Sequence, residues 1–236
     1  MTIKERIESI RERIEKAARR SGRSPSDIAL MGISKFHNAK AVEDAIKEGI
    51  MLFGESRVQE AKKKFPVLRE SYPLLELHMV GHLQRNKIKT ALKTFDGIQS
   101  LDRDEVITAL GTHAGANEMQ QSWTVLLEMH TGEESKTGYP DTDSLSRAAE
   151  LVLSFPQLKL SGLMTMAPFT QDTALIRASF KKLAGARDLL QRRFPNNDFS
   201  VLSMGMTNDF ETAIEEGSTL IRIGTAIFGE SHGGAD

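Results

Sequence analysis

The segment Ile28-Ala29-Leu30-Met31-Gly32-Ile33-Ser34-Lys35 is a short apolar run suited to a buried strand, with a lysine directly behind it. A helical pattern follows. Asn38 stands where an N-cap belongs, Val42, Ala45 and Ile46 share one face, and Gly49 marks the stop. The rest of the chain repeats this unit. Strand-like runs at 51–54, 74–80, 97–101, 122–129, 158–164, 199–202 and 219–223 alternate with helical patterns at 58–68, 83–95, from 104, and at 142–153, 173–194 and 208–216. Such alternation, free of long linkers, means parallel strands joined by helical crossovers. Eight units in 236 residues favour a closed α/β barrel, the (β/α)8 or TIM barrel, over an open doubly wound sheet.

Ahead of the barrel, Ile3, Ile7, Ile10, Ile14 and Ala17 recur at steps of four and three, which places them on one helical face. Two heptads are too few for a coiled coil, and Ser21-Gly22 with Ser24-Pro25 ends the helix. The expected plan is an N-terminal helix docked on the barrel (1–25), the barrel (26–230) and a disordered tail (231–236). Hydrophobic residues at 39% and charged residues at 27% are ordinary globular usage. Thirty-one Lys and Arg against 32 Asp and Glu give a net charge of −1, which removes the broad electrostatic case for nucleic-acid or membrane-surface binding. The basic run Gln84-Arg85-Asn86-Lys87-Ile88-Lys89 has no neighbouring aromatics and reads as a solvated helix face. With no cysteine, disulfides, thiolate metal sites and thiol catalysis are excluded. No apolar run approaches a membrane span, and the charged stretch Met1 to Arg20 lacks the centre of a secretory signal. A cytoplasmic location is expected.

Barrels of this kind place their sites at the C-terminal ends of strands. Lys35 follows the first strand. Enclosed by apolar neighbours, its amine would lose proton affinity and attack aldehydes; exposed, it would only cover the strand end with its stem. Leu202-Ser203-Met204-Gly205-Met206-Thr207 follows the seventh strand, and Arg222-Ile223-Gly224-Thr225 closes the eighth. Both turns offer small residues, hydroxyls and backbone amides where barrels often hold a phosphate, although helix capping by Ser203, Thr207 and Asn208 would use the same residues. Arg222 shares a strand face with Leu220, so its guanidinium is buried and needs an acceptor. An internal pair with Glu128 and a bound ligand are both open.

Other groups read as structural. His78 and His82 have helix-like spacing, but Gly81 and the strand before it argue against a metal pair, and no metal site is expected. Lys136, in Glu133-Glu134-Ser135-Lys136-Thr137-Gly138, reads as a surface group. Met164 and Met166 read as barrel packing.

Several motifs together carry a family resemblance: Ser34-Lys35, Phe53-Gly54-Glu55-Ser56-Arg57-Val58-Gln59-Glu60, His78-Met79-Val80-Gly81-His82-Leu83-Gln84-Arg85-Asn86-Lys87, the 133–138 loop, Gly162-Leu163-Met164-Thr165-Met166-Ala167-Pro168, Ser203-Met204-Gly205-Met206 and Arg222-Ile223-Gly224-Thr225-Ala226-Ile227-Phe228-Gly229. The sequence resembles the pyridoxal phosphate homeostasis protein family, whose barrel is similar to the N-terminal domain of alanine racemase. The resemblance implies that the chain binds pyridoxal 5′-phosphate as an internal aldimine on Lys35. It further implies that Ser203, Gly224 and Thr225 hold the phosphate beside the Gly205 turn and that Arg222 faces the pyridine nitrogen. The family usually has Asn where this chain has Ser56, and a single hydroxyl replaces an amide with three hydrogen-bonding positions.

The resemblance implies a carrier and buffer of the cofactor, with apoenzymes as its recipients. The alternative is a small amino-acid racemase or related enzyme in which Lys35 would be catalytic. Barrel chemistry alone also allows a Schiff-base aldolase acting on a phosphorylated sugar. An arginine at the ring nitrogen donates a hydrogen bond and leaves that nitrogen unprotonated, which weakens the electron sink that amino-acid chemistry needs. The racemase uses a second-face tyrosine from a C-terminal domain, for which the residues after Gly229 leave no room. Neither Tyr72 nor Tyr139 has a matching context, and His37 or His82 would have to substitute. Without that second domain and its dimer contact, a monomer is expected.

Overall fold

The computed structural model describes residues 1–116, 122–132 and 137–230. Eight parallel strands, β1 (Ala29–Ile33), β2 (Leu52–Glu55), β3 (Glu76–Met79), β4 (Gly97–Leu101), β5 (Trp123–Glu128), β6 (Leu158–Met164), β7 (Val201–Ser203) and β8 (Leu220–Ile223), pair in chain order. β8 returns to β1 with Met31 opposite Arg222, which closes the barrel. Helices α1 (Ile3–Arg20), α2 (Ala39–Lys47), α3 (Val58–Ser71), α4 (Ile88–Thr94), α5 (Asp104–Gly115), α6 (Thr142–Leu153), α7 (Thr173–Arg193), α8 (Phe210–Glu215) and α9 (Thr225–Phe228) surround it.

The apolar stripe of α1 is buried through Ile7, Ile10, Ile14, Ala17 and Ala18. Thr2 caps α1 reciprocally with Glu5, and Arg23 ties its exit to the carbonyls of Ile214 and Ser218 at 2.9 and 2.7 Å. Asn38 caps α2 through the Ala41 N–H, and Gly49 follows that helix with φ +85°. Strand alternation divides the core into two layers. Outward residues such as Phe53, Leu77 and Ile221 pack under the helices, while inward ones fill the barrel. Gly54 faces inward, because a Cβ there would lie 2.5 Å from Ile33 Cδ1 and 2.8 Å from Met31 Sδ.

Several boundaries differ from the sequence reading, among them the strand at 74–80, which is Glu76–Met79, and the helix at 58–68, which runs Val58–Ser71; three of the differences have a visible cause. The pattern at 83–95 becomes a 3₁₀ turn at Arg85–Lys87 followed by the short α4. Leu83 is buried as part of the loop, and its carbonyl accepts from Arg103 Nη2 at 3.1 Å rather than starting a helix. β7 begins at Val201 because the Phe199 N–H is engaged by Gln191 Oε1 of α7. α8 begins at Phe210 because Asp209 Oδ1 accepts from the Met206 N–H, which holds residues 206–209 as a turn. The sequence reading has no counterpart of α9. Lys136 with Glu133–Ser135, and the tail at 231–236, lie outside the described residues. Among the described residues, no helix is long and apolar enough to cross a membrane.

Candidate functional site

A cavity of about 280 Å³ opens at the C-terminal ends of β1 and β8. Lys35, Arg222, Gly224 and Thr225 line it, together with the 206–209 turn and the loop after β6. A larger cavity of about 570 Å³ sits between α1 and the start of β1, at the opposite end, with Arg11 and Glu15 in its wall. Barrel chemistry belongs at the first of these.

Lys35 is exposed, in contrast to the enclosed amine that the sequence reading considers. The reason is its place one residue beyond Ser34 at the rim, where even Ile33 is only half-buried. Its Nζ lies 5.9 Å from the centroid of the Phe36 ring, and Phe36 has φ +66°. The turn around Lys35 is held from behind. Lys64 of α3 donates to the carbonyls of Ser34 at 2.7 Å and His37 at 2.9 Å, and it pairs with Glu55, which also accepts from Ser34 Oγ at 2.7 Å.

Arg222 is 5% exposed, and its partners settle one open question. Its Nη1 donates to Ser203 Oγ at 2.6 Å and its Nη2 to the Thr165 carbonyl at 2.7 Å. Glu128 instead accepts from Thr137 Oγ1 at 2.9 Å and acts on Arg222 through space. Burial lowers the Arg222 pKa to about 10, against the opposing charges of Asp209 and Glu128, so it stays a cation at neutral pH. Burial likewise raises the pKa of Glu128.

Behind Arg222 runs a polar chain whose directions are forced. Arginine can only donate, so Ser203 Oγ accepts from it and gives its single proton to Gln99 Oε1 at 2.7 Å. The Gln99 amide then donates to His78 Nδ1 at 3.0 Å. Burial lowers His78 to about 4, which leaves that nitrogen free to accept. Gly97 makes room for the imidazole, since a Cβ there would lie 2.8 Å from the ring.

The expected residues thus divide. Lys35, Arg222, Gly224 and Thr225 converge on the cavity. Ser203 is fully buried beneath Arg222 and does not line it. Gly205, with φ +97°, turns the chain under the site, and its carbonyl accepts from the Arg222 N–H at 2.9 Å. Ser56 is half-buried and packs against Gly81, where a Cβ would lie 2.5 Å from the Ser56 carbonyl oxygen. Thr207 and Asn208 line the cavity rather than capping α8. Gln99 and Lys64 are not named in the sequence reading, and Glu55 enters there only within the 53–60 motif, with no role of its own; a Glu closing the otherwise uncharged strand Leu52-Phe53-Gly54 was the one visible signal.

The alternative acid–base groups are engaged elsewhere. Tyr139 OH donates to Asp104 at 2.7 Å, and burial raises its pKa. His37 stacks on Phe228 with centroids 5.0 Å apart, and burial lowers its pKa. His82 Nδ1 lies 2.9 Å from Asp102. No cluster of three or more potential metal ligands occurs among the described residues.

A closed parallel barrel with an amine after β1, and a guanidinium and glycine turn at the end of β8, falls in the class of lysine-bearing (β/α)8 barrels. Comparison with known proteins gives the family. A family model described as alanine racemase, N-terminal domain, matches residues 6–232. Proteins named pyridoxal phosphate homeostasis protein are 39% identical in Aquifex aeolicus (98% of this chain and 99% of that one) and 35% identical in Escherichia coli K12 (96% of each). The chain belongs to the alanine racemase N-terminal domain family and, within it, to the pyridoxal phosphate homeostasis proteins. PipY of Synechococcus elongatus, solved with PLP bound, superposes with a TM-score of 0.83 at 33% identity, covering 97% of this chain and all of that one. A histidine racemase from Leuconostoc mesenteroides, at 14% identity and a TM-score of 0.72 over 98% of this chain and 57% of its own, shares the fold.

Proposed function

We propose that this chain binds pyridoxal 5′-phosphate and serves its homeostasis in the cytoplasm, as a monomeric carrier that delivers the cofactor to apoenzymes. The observation that carries this reading is the convergence of Lys35, Arg222, Gly224 and Thr225 on one cavity. The donor set fits the group. An amine suits the aldehyde, a cation that cannot accept a hydrogen bond suits an unprotonated ring nitrogen, and the small-residue turn at Gly224 suits a phosphate. A Cβ at Gly224 would lie 3.3 Å from the Ile33 carbonyl oxygen, so the turn has little space for a larger residue. When bound, the cofactor supplies an electron sink for carbon acids. Lys35 would hold it through its amine, Gly224 and Thr225 would hold the phosphate, and Arg222 would orient the ring. Ser203 and Gly205 act through Arg222, one from behind its guanidinium and one at its backbone.

Carriage rather than turnover is supported by the placement of Tyr139, His37 and His82, each committed to another partner. The test is to add pyridoxal 5′-phosphate, reduce with borohydride and map the peptides. A single adduct at Lys35 is expected. Incubation of the loaded protein with L- and D-amino acids in deuterated water distinguishes the roles: sustained exchange at Cα over many turnovers would replace the carrier by an enzyme. A colourless protein that traps a keto-sugar at Lys35 would support an aldolase.

A further inference from the structure

Lys62, Lys63 and Lys64 form a basic run on α3, yet only Lys64 is buried, at 9% exposure. Its ammonium has three protons. They meet three acceptors: the Ser34 carbonyl, the His37 carbonyl and Glu55 Oε1. The two carbonyls lie on either side of Lys35 and Phe36. Further bonds close the same turn: the His37 N–H donates to the Ser34 carbonyl at 3.1 Å and the Phe36 N–H to Glu60 Oε2 at 3.3 Å. Within this frame Phe36 takes a left-handed conformation that side chains disfavour.

Stability alone is a poor reason for this arrangement. A buried ion pair is often matched or bettered by apolar residues of similar size. Here Glu55 Oε2 is also buried with no hydrogen-bond partner among the described residues. Imperfect buried polar groups of this kind are found where surrounding structure enforces a special conformation at a site.

We infer that Lys64, seated by Glu55, is a positioning residue for Lys35: it pins the Ser34 and His37 carbonyls and thereby fixes the strained turn that presents the Lys35 amine to the cavity. This rests on the reading of Lys35 as the attachment point. Lys64 does not touch the cavity and is not a catalytic residue.

The test uses the full chain and two variants. K64M removes the anchors. E55Q/K64M removes them without leaving a buried carboxylate uncompensated, and so remains informative if K64M alone fails to fold. Hydrogen exchange read by mass spectrometry should show lost protection in the peptide covering residues 34–37 while β4 and β5 keep theirs. The rate of adduct formation at Lys35, trapped with pyridoxal 5′-phosphate and borohydride, should fall by about tenfold or more, since a modest displacement of a reacting group has effects of this size. A general structural defect would instead loosen the strands and expose other lysines to labelling. Adduct formation at Lys35 as fast in both variants as in the unaltered protein, or unchanged protection of 34–37, would overturn the inference and leave the attachment reading standing. No adduct at Lys35 in the unaltered protein would overturn that reading and the inference with it.

Discussion

Ser203 Oγ lies 2.6 Å from Arg222 Nη1 and serves as its acceptor inside the barrel. Both side chains are buried, and the serine proton is committed to Gln99. The guanidinium is therefore held from the barrel interior while it remains part of the cavity wall.

Removing that hydroxyl tests the chain directly. S203A leaves a buried charged donor and the Gln99 carbonyl each without a partner. Hydrogen bonds to charged groups contribute roughly 1.5–3 kcal/mol, so urea unfolding should show a loss of about 2–3 kcal/mol. Weaker cofactor binding should accompany it as Arg222 loses its orientation. A loss below about 0.5 kcal/mol would mean that the chain does not hold Arg222.

Lys35 offers the opposite case. It is exposed, and truncating an exposed side chain rarely shifts stability by more than about 0.5 kcal/mol. K35A should therefore unfold with the unaltered protein in the cofactor-free state while losing the adduct at position 35. Loss of the cooperative transition would contradict the placement of Lys35 at the rim.

The sequence carried the barrel because parallel strands buried on both faces appear as continuous apolar runs, and the intervening helices as amphipathic ones. The Gly97–Leu101, Thr142–Leu153 and Leu158–Met164 segments were legible to the residue. Boundaries set by long-range hydrogen bonds were not. Nothing local to Leu83 shows that Arg103 will take its carbonyl, and nothing local to Phe199 announces Gln191. The same division governs the site. Lys35, Arg222, Gly224 and Thr225 sit where barrel geometry predicts a site. Gln99 and Lys64 act by contacts from distant parts of the chain; in sequence one is a polar residue in a strand and the other a third lysine in a helix.

Two glycines separate close packing from helix propensity. Gly162, in β6, has φ +151°, and a Cβ there would lie 1.9 Å from the Val201 carbonyl oxygen. G162A must push β6 and β7 apart, and a loss of about 3 kcal/mol or more is expected. Gly185, in α7, has nothing within 4 Å of its Cβ position, and G185A should gain about 0.5–1 kcal/mol. Equal effects from the two substitutions in thermal unfolding would contradict the β6–β7 packing.

The last prediction concerns pH and follows from His78. Burial holds its folded pKa at about 4, whereas an unfolded histidine titrates near 6.5. Asp96 opposes the shift without cancelling it. Between these values the unfolded chain binds more protons than the folded one, so stability falls as pH falls. The contribution is fully present above about pH 6.5 and is lost progressively as pH drops through about 4. A difference of this size corresponds to on the order of 3 kcal/mol. Protonation would also set a donor at Nδ1 against the Gln99 amide, which now donates to it, and so would disturb the chain that ends at Arg222. H78N removes the titration and keeps a possible acceptor for that amide. Unfolding free energies of both proteins at several pH values between 7.5 and 4.5 cancel the carboxylates they share. The difference between them should shrink steadily below about pH 6.5 as the unaltered protein loses its advantage. A difference independent of pH would show that His78 titrates alike in both states and would remove the requirement for an unprotonated Nδ1.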